Sequence, residues 1–359
     1  MRKLSKLLAL LLVLVMALSL AACGNTNDSS NSGDTNTPAD DVNTPADDAN
    51  EPADDAEPAD DDAAATGEKF VVGVCQQMPH VALDAATQGF IDALTEALGA
   101  DNVEFNVQDA AGEYTNCGTI VDGFVAEGVD LILANATYPL QAAASATSTI
   151  PVLGTSITDY ATALTIEDWN GTVGGNISGT SDLAPLDQQA AMIADLFPDA
   201  ANVGLLYCSA EPNSVYQITV VQEALEGIGM TCTRYAFTDV NDLQAVTQTA
   251  CDGSDVIYIP TDNTAATYTD VIANVVIPAG VPVVAGEEGI CAGCGVVTLS
   301  IDYYDLGYAT GKMAAEILGN GADISTMPVQ FAPEVTKKYN AANCEALNIT
   351  VPEDYVAIG

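Results

Sequence analysis

"FVVGVCQQMPHVALDAATQGFIDALTEALG", residues 70–99, decides the architecture of the chain. Its first six residues are a short apolar run rich in β-branched side chains. That length and composition predict a buried strand. From 82 to 98 the apolar positions recur at helical spacing, and Gly99 stops them. A buried strand followed by an amphipathic helix is the building unit of a parallel sheet.

The unit repeats along the chain. "VEFNVQ" alternates like a strand, and "CGTIVDGFVAEG" reads as a helix ending at Gly128. "DLILA" and "IPVLG" read as strands with the helix "PLQAAASAT" between them. After a short bridge the pattern restarts. A helix over 185–197 leads to the strands "NVGLLYC", "MTCTRYAF", "DVIYIP", "VPVVAG" and "VVTLSI". The helices "SVYQITVVQEALEGIG", "DLQAVTQTAC" and "TAATYTDVIANVV" alternate with them, and "YYDLGYATGKMAAEILGN" closes the series. Two successive series predict an α/β protein with two doubly wound parallel-sheet lobes. Extra strands are expected near 162–166 and 327–331. Crossings near Ser178–Asp182, Ser300–Asp302 and Pro328–Phe331 would make a three-strand hinge. The expected lobes are 69–180 plus 302–328, and 183–299 plus 331–359.

The N-terminal 67 residues read differently. Arg2, Lys3 and Lys6 precede an apolar run from Leu7 to Leu20, too short to span a membrane, and "LAAC" ends at Cys23. Residues 1–23 are thus expected to be a signal peptide, with Cys23 resembling the lipidated cysteine of a bacterial lipobox. Residues 24–67 repeat TPADDVN, TPADDAN, EPADDA and EPADDD, a composition that buries nothing and repels itself into an extended tether.

Charge excludes whole classes of partner. The formal net charge is −42, with eight Lys and Arg in total. From 69 onward the only basic residues are Lys69, Arg234, Lys312, Lys337 and Lys338. Nucleic acid, which is held by Lys and Arg at its phosphates, is excluded. The only histidine is His80, so a multi-histidine metal site is excluded too. No Ser-His-Asp arrangement, H-E-x-x-H or G-x-x-x-x-G-K pattern is present. No catalysis, metal or cofactor is therefore expected.

In doubly wound sheets ligands sit beyond the carboxyl ends of the strands. The candidates are the polar residues there. Gln76, Gln77 and His80 follow the first strand, with His80 also a possible helix cap. Asn135 and Thr137 follow the third, and Thr155 the fourth. Asn213 and Ser214 open a helix whose free amides suit an anion. Asp262, Asn263, Glu287 and Glu288 offer acceptors to a ligand ammonium. Asp302 and the tyrosines after it stand where a crossing meets its helix; Asp302 also fits an N-cap. "EEGICAGCG" (287–295) carries a C-x-x-C. Outside the cytoplasm, with no second ligand pair, Cys291 and Cys294 read as loop thiols or a local disulfide rather than a redox or zinc motif.

"HVALDAATQGFIDAL", "GGNISGTSDLAP", "IYIPTDNT", "VPVVAGEEG" and "SIDYYDLGYATGKMAAEIL" resemble the substrate-binding lipoproteins of ABC importers. The resemblance is to the branch with members that bind tryptophan, tyrosine or phenylalanine, and it runs in order over nearly all of 69–356. It implies a type I periplasmic-binding fold, a ligand in the cleft, no catalysis, an ABC permease with its ATPase as partner, and a monomer anchored outside the cytoplasm by lipid. Gln77 stands where those relatives tend to carry a ring, which counts against an aromatic ligand. The expected ligand is a small zwitterion, read best as an amino acid; a sensor lipoprotein, or a binder of sugar or nucleoside, is the alternative.

Overall fold

The structure is a computed structural model; it describes residues 69–359 apart from Pro333. The expected signal peptide, Cys23 and the tether lie outside the described residues. In chain order the elements begin β1 (Phe70–Gln76), α1 (Val81–Leu98), β2 (Val103–Asp109), α2 (Tyr114–Glu127), β3 (Leu131–Asn135), α3 (Thr137–Ala146), β4 (Val152–Ile157), α4 (Tyr160–Leu164) and β5 (Ile177–Ser181). They continue with α5 (Leu186–Leu196), β6 (Asn202–Cys208), α6 (Pro212–Gly227), β7 (Thr231–Phe237), α7 (Val240–Gly253), β8 (Val256–Ile259), α8 (Asn263–Thr267), α9 (Thr269–Ala279), β9 (Val283–Ala285), α10 (Glu288–Gly293) and β10 (Val297–Ser300). The last are α11 (Tyr303–Asn320), β11 (Gln330–Phe331), β12 (Thr336–Tyr339), α12 (Ala341–Ala346) and β13 (Val356–Ala357).

Two sheets result, so the α/β fold with two doubly wound lobes is found as the sequence implies. The first has the order β11-β5-β4-β3-β1-β2, and the second β13-β12-β10-β9-β8-β6-β7. Every pairing is parallel except β10 with β12. Strand order reverses between β1 and β3 in one sheet and between β6 and β8 in the other. Both faces of each sheet are covered. Val72 and Val74 of β1 pack with Phe90 and Leu94 of α1, while Cys75 packs on the opposite face with Cys117 and Phe124 of α2. In β6, Leu206 faces one core, and Val203, Leu205 and Tyr207 the other.

The chain passes between the sheets three times, over 182–185, at 301–302 and between Phe331 of the first sheet and Thr336 of the second. The second passage brings α11 back onto the first lobe, where it lies along α1. Glycine makes that packing close. A Cβ on Gly307 would stand 1.9 Å from the Ala86 carbonyl oxygen, and one on Gly89 would stand 2.1 Å from that of Tyr304. The helices touch backbone to backbone, and any side chain at either position pushes them apart.

Three elements differ from the sequence expectation. Residues 160–164 form α4, not a strand, because Asp159 caps the turn by accepting from Thr162 N at 2.7 Å, and Tyr160 and Ala163 share one buried face. The strand of that region is β5, further along. The single helix expected over "TAATYTDVIANVV" is two, α8 and α9, divided at Tyr268. Cys291 and Cys294 are not loop thiols: Cys291 lies in α10, Cys294 ends it, and both are buried in the second lobe's core. All eight described cysteines are free thiols; seven are buried and Cys232 is half-buried.

Gly307→Ala is expected to cost about 1–3 kcal/mol, as overpacking typically does. The nearby Gly319→Ala meets only the end of the Leu98 side chain, at 3.1 Å, and is exposed. It is expected to be neutral or to stabilise by up to about 1 kcal/mol through helix propensity. Denaturant melts of the two variants check the contrast.

Candidate functional site

The two strand-order reversals face one another, and a narrow polar cavity lies between the lobes there. Its free volume is about 20 Å³, room for a water-sized body. His80, Ser156 and Thr158 wall it from the first lobe, and Asn213, Thr261, Asp262, Asn263 and Glu287 from the second. Asp182 belongs to the first passage between the lobes and Tyr303 opens α11 just after the second, and Tyr303 Oη donates to Asp182 Oδ2 at 2.8 Å.

Each wall has a local cause. His80 occupies the N-cap position of α1 in an extended conformation, yet its side chain caps nothing. The first-turn amides of α1 are therefore left unsatisfied by it, and Ala82 borders the cavity. Instead His80 Nε2 meets Asn263 Oδ1 of the opposite lobe at 3.3 Å. Ser156 has φ of 57°, a left-handed conformation uncommon outside glycine, which breaks the strand alternation just where β4 reaches the cavity. Gln217 of α6 donates across the lobes to Thr158 Oγ1 at 3.4 Å.

Three carboxyls converge here, and no Lys or Arg lines the cavity. Burial pushes Asp262 up to about 8, with nearby Glu211 adding to the shift. Burial likewise raises Glu287 to about 7 and raises Asp182. Asp262 accepts from Cys208 N at 2.7 Å and from Ala265 N at 2.8 Å. Glu287 accepts from Gly289 N at 2.6 Å and from Ile290 N. Glu287 is thus occupied by its own helix start, and Asp262 by its helix start and the end of β6. Asp182 is different: its Oδ1 is buried with no partner. So are His80 Nδ1, Ser156 Oγ and Thr261 Oγ1, all around this same cavity. His80 is kept neutral, because burial lowers its pKa.

Of the residues expected at the ligand, the structure gathers His80, Asn213, Asp262, Asn263 and Glu287 around the cavity. It places the others elsewhere. Gln76 is turned inward, donating to Asp84 at 2.7 Å and accepting from Thr87 at 2.7 Å. Gln77 accepts from Tyr138 N at the start of α3. Asn135 donates to Leu83 O and Thr87 Oγ1 within the first lobe. Thr137 is buried in the first turn of α3. Thr155 pairs with Thr180 inside the sheet at 3.2 Å. Ser214 is fully buried and takes a hydrogen bond from Asn213. Glu288 faces away and pairs with Lys338. Asp302 caps α11 at the surface. The start of α6 is moreover no anion seat: Pro212 lacks an N–H, and the N-cap is the buried carboxylate of Glu211. Sequence reasoning missed Ser156, Thr158, Thr261 and Asp182 as cavity residues. An acidic residue directly after a strand, at an expected crossing, was the available signal for Asp182.

Two α/β lobes joined by three passages, with a polar cavity between them, define a ligand-clamping protein of the type I periplasmic-binding class. Residues 71–358 match the family described as ABC transporter substrate binding protein, and the chain belongs to that family. The family is extracytoplasmic, takes a small-molecule ligand and works with an ABC permease. A Tyrosine-binding protein of Clostridioides difficile (strain R20291) is 27% identical over 351 residues, covering 97% of this chain and 94% of its own. The ABC domain from Streptococcus pneumonia in complex with L-Trp is 31% identical, with a TM-score of 0.76, covering 80% of this chain and 97% of that one. The ligand-free, open structure of a substrate binding protein with adhesive properties from Clostridium difficile is 30% identical, covering 80% and 99%. Its TM-score is only 0.63, so at similar identity the L-Trp complex superposes better than the open form.

The raised carboxyls give a pH test. Their protonated forms are favoured in the folded state, so the unfolded chain releases protons that the native chain keeps. Stability from this source falls as pH rises from the ordinary carboxylate range near about 4 towards about 8. The neutral His80 acts oppositely, but only below its ordinary value of about 6.5. Between about pH 6.5 and 8 the ligand-free protein is expected to lose melting temperature, and Glu287→Gln to flatten that slope. Calorimetric melts across the window check it; a rise instead would contradict the assignment.

Proposed function

We propose that the protein is the binding component of an ABC importer, closing its two lobes on an amino acid and delivering it to a permease without catalysing a reaction. The carrying observation is the set of four buried, unpartnered polar atoms around one cavity: His80 Nδ1, Ser156 Oγ, Asp182 Oδ1 and Thr261 Oγ1. Buried polar atoms normally find partners, so such a cluster marks the place of a polar ligand. Asp182 Oδ1 receives the ligand ammonium, oriented by Tyr303. The open first turn of α1 and the Ser156 hydroxyl receive the carboxylate, as helix N-termini do. Asp262 and Glu287 border the ammonium end, where an incoming ammonium favours release of the protons that burial makes them keep. Relatives whose names carry tyrosine and L-Trp support an amino-acid ligand.

The narrow cavity also supports a clamp. At about 20 Å³ it admits no amino acid until the lobes part. His80–Asn263 and Gln217–Thr158 bridge the lobes, and ligand contacts made on both sides add to them and favour closure. The working unit is a monomer whose first lobe includes α11 and β11, through Phe331, and whose second lobe runs from α5 to β10 and resumes at β12. It is held to the membrane by lipid on Cys23, with 24–67 as spacer.

A thermal-shift screen of amino acids, nucleosides and sugars on the purified domain identifies the ligand, and calorimetry then measures the variants. Asp182→Asn is expected to weaken binding roughly ten- to a hundredfold, the effect of a lost charge-assisted bond. Glu226→Gln, on the exposed face of α6, is expected to change it less than about twofold. An Asp182→Asn affinity within about twofold of the parent, or a ligand without an amino group, overturns this reading. Separately, Cys23→Ala is expected to release the protein from membranes while leaving its melting temperature unchanged. Persistence of the variant in carbonate-washed membranes contradicts the lipid anchor.

A further inference from the structure

A second, larger chamber lies between the lobes, with a free volume of about 350 Å³. Asn263 divides it from the inner cavity: its Oδ1 meets His80 Nε2 at 3.3 Å, and its Nδ2 donates to Glu211 Oε2 at 2.7 Å. His80 and Asn263 line the inner cavity, whereas Glu211 lines the chamber. Tyrosines wall the chamber from both lobes: Tyr114 and Tyr138 from the first, Tyr268 from the second. The first two rings meet edge to face, 5.4 Å apart at 83°. Tyr138 Oη donates to the Ala210 carbonyl of the opposite lobe, which fixes that ring in place. Carboxylates of Glu113, Glu211 and Asp239 border the same space, and no Lys, Arg or His does.

We propose that this chamber is a second ligand site, for an organic cation with an apolar body, such as an alkyl- or arylammonium. Aromatic rings attract a cation through their negative faces, and carboxylates without a competing cation add to the field. An anion finds no partner there. A small inorganic cation leaves the ring surface unused, and a neutral apolar molecule must desolvate beside three carboxylates. Only a cation carrying its own apolar surface satisfies both the rings and the acidic border. The assignment uses none of the four unpartnered atoms of the inner cavity, so it stands independently of the amino-acid reading.

Choline and its neutral isostere 3,3-dimethylbutan-1-ol are the probes, titrated against the whole soluble domain by calorimetry. Choline is expected to bind saturably, and the alcohol about tenfold more weakly or worse. Tyr138→Leu and Tyr268→Leu are each expected to weaken choline about five- to tenfold, while Tyr138→Phe, which keeps the ring and loses the hydroxyl, retains most of it. Asp182→Asn is expected to leave choline affinity intact even though it impairs amino-acid binding. Melting curves report folding; if Tyr138→Leu does not fold, Tyr268→Leu and the isostere pair decide. Equal binding of the alcohol, loss of choline in Asp182→Asn without loss in the tyrosine variants, or no saturable binding up to about 10 mM overturns the proposal.

Discussion

Backbone contact between α1 and α11 is the constraint on which the rest depends. Gly89 and Gly307 let the two helices meet without intervening side chains. That contact returns the chain to the first lobe after β10 has completed its place in the second. The return brings Tyr303, at the start of α11, against Asp182 in the first passage between lobes. A packing rule in the outer layer thereby sets the position of a polar group at the centre of the molecule.

The centre itself is built from an imbalance. Carboxyls are brought together with burial and without cations, so each is displaced from its ordinary titration range. Backbone N–H groups quiet two of them: the start of α8 and the end of β6 donate to Asp262, and the start of α10 donates to Glu287. Asp182 keeps one oxygen free. The tyrosine-walled chamber beyond Asn263 repeats the logic with rings in place of helix amides. Both spaces are closed by contacts that cross from lobe to lobe, so occupancy and closure share the same residues.

Much of the fold was legible because each β-α unit is locally complete. The strand at 70–76 and the helix ending at Gly99 need no distant information. The region 160–164 misled because its alternation of apolar and polar residues fits a strand, while one carboxylate, Asp159, caps it into a helical turn. The late strands β12 and β13 were missed: they are short and partly exposed, and their identity comes from the partners they join. The site was legible by neighbourhood and not by side chain. Loops after strands do meet at the cavity, but which residue points inward depends on local backbone and capping. The left-handed Ser156 brings its own side chain to the cavity while Thr155 stays in the sheet. Gln76 and Asn135 were polar, correctly located, and already committed to Thr87. Gln77 supplies no ring after β1, yet Tyr114 and Tyr138 supply aromatic surface from the first turns of α2 and α3.

The eight free thiols have a consequence for the life history of the chain. A thiol at the surface of an extracytoplasmic protein meets oxidants, whereas seven of these are enclosed in the cores and burial raises several of them, Cys208, Cys251 and Cys294 among them, out of the reactive thiolate range. Protection is therefore a property of the folded state alone. A chain that crosses the membrane unfolded presents all of them at once, and rapid collapse of the two cores is what keeps them from cross-linking. Slow or incomplete folding would surface first as mixed disulfides, so oxidative damage, rather than lost affinity, becomes the early marker of a weakened variant.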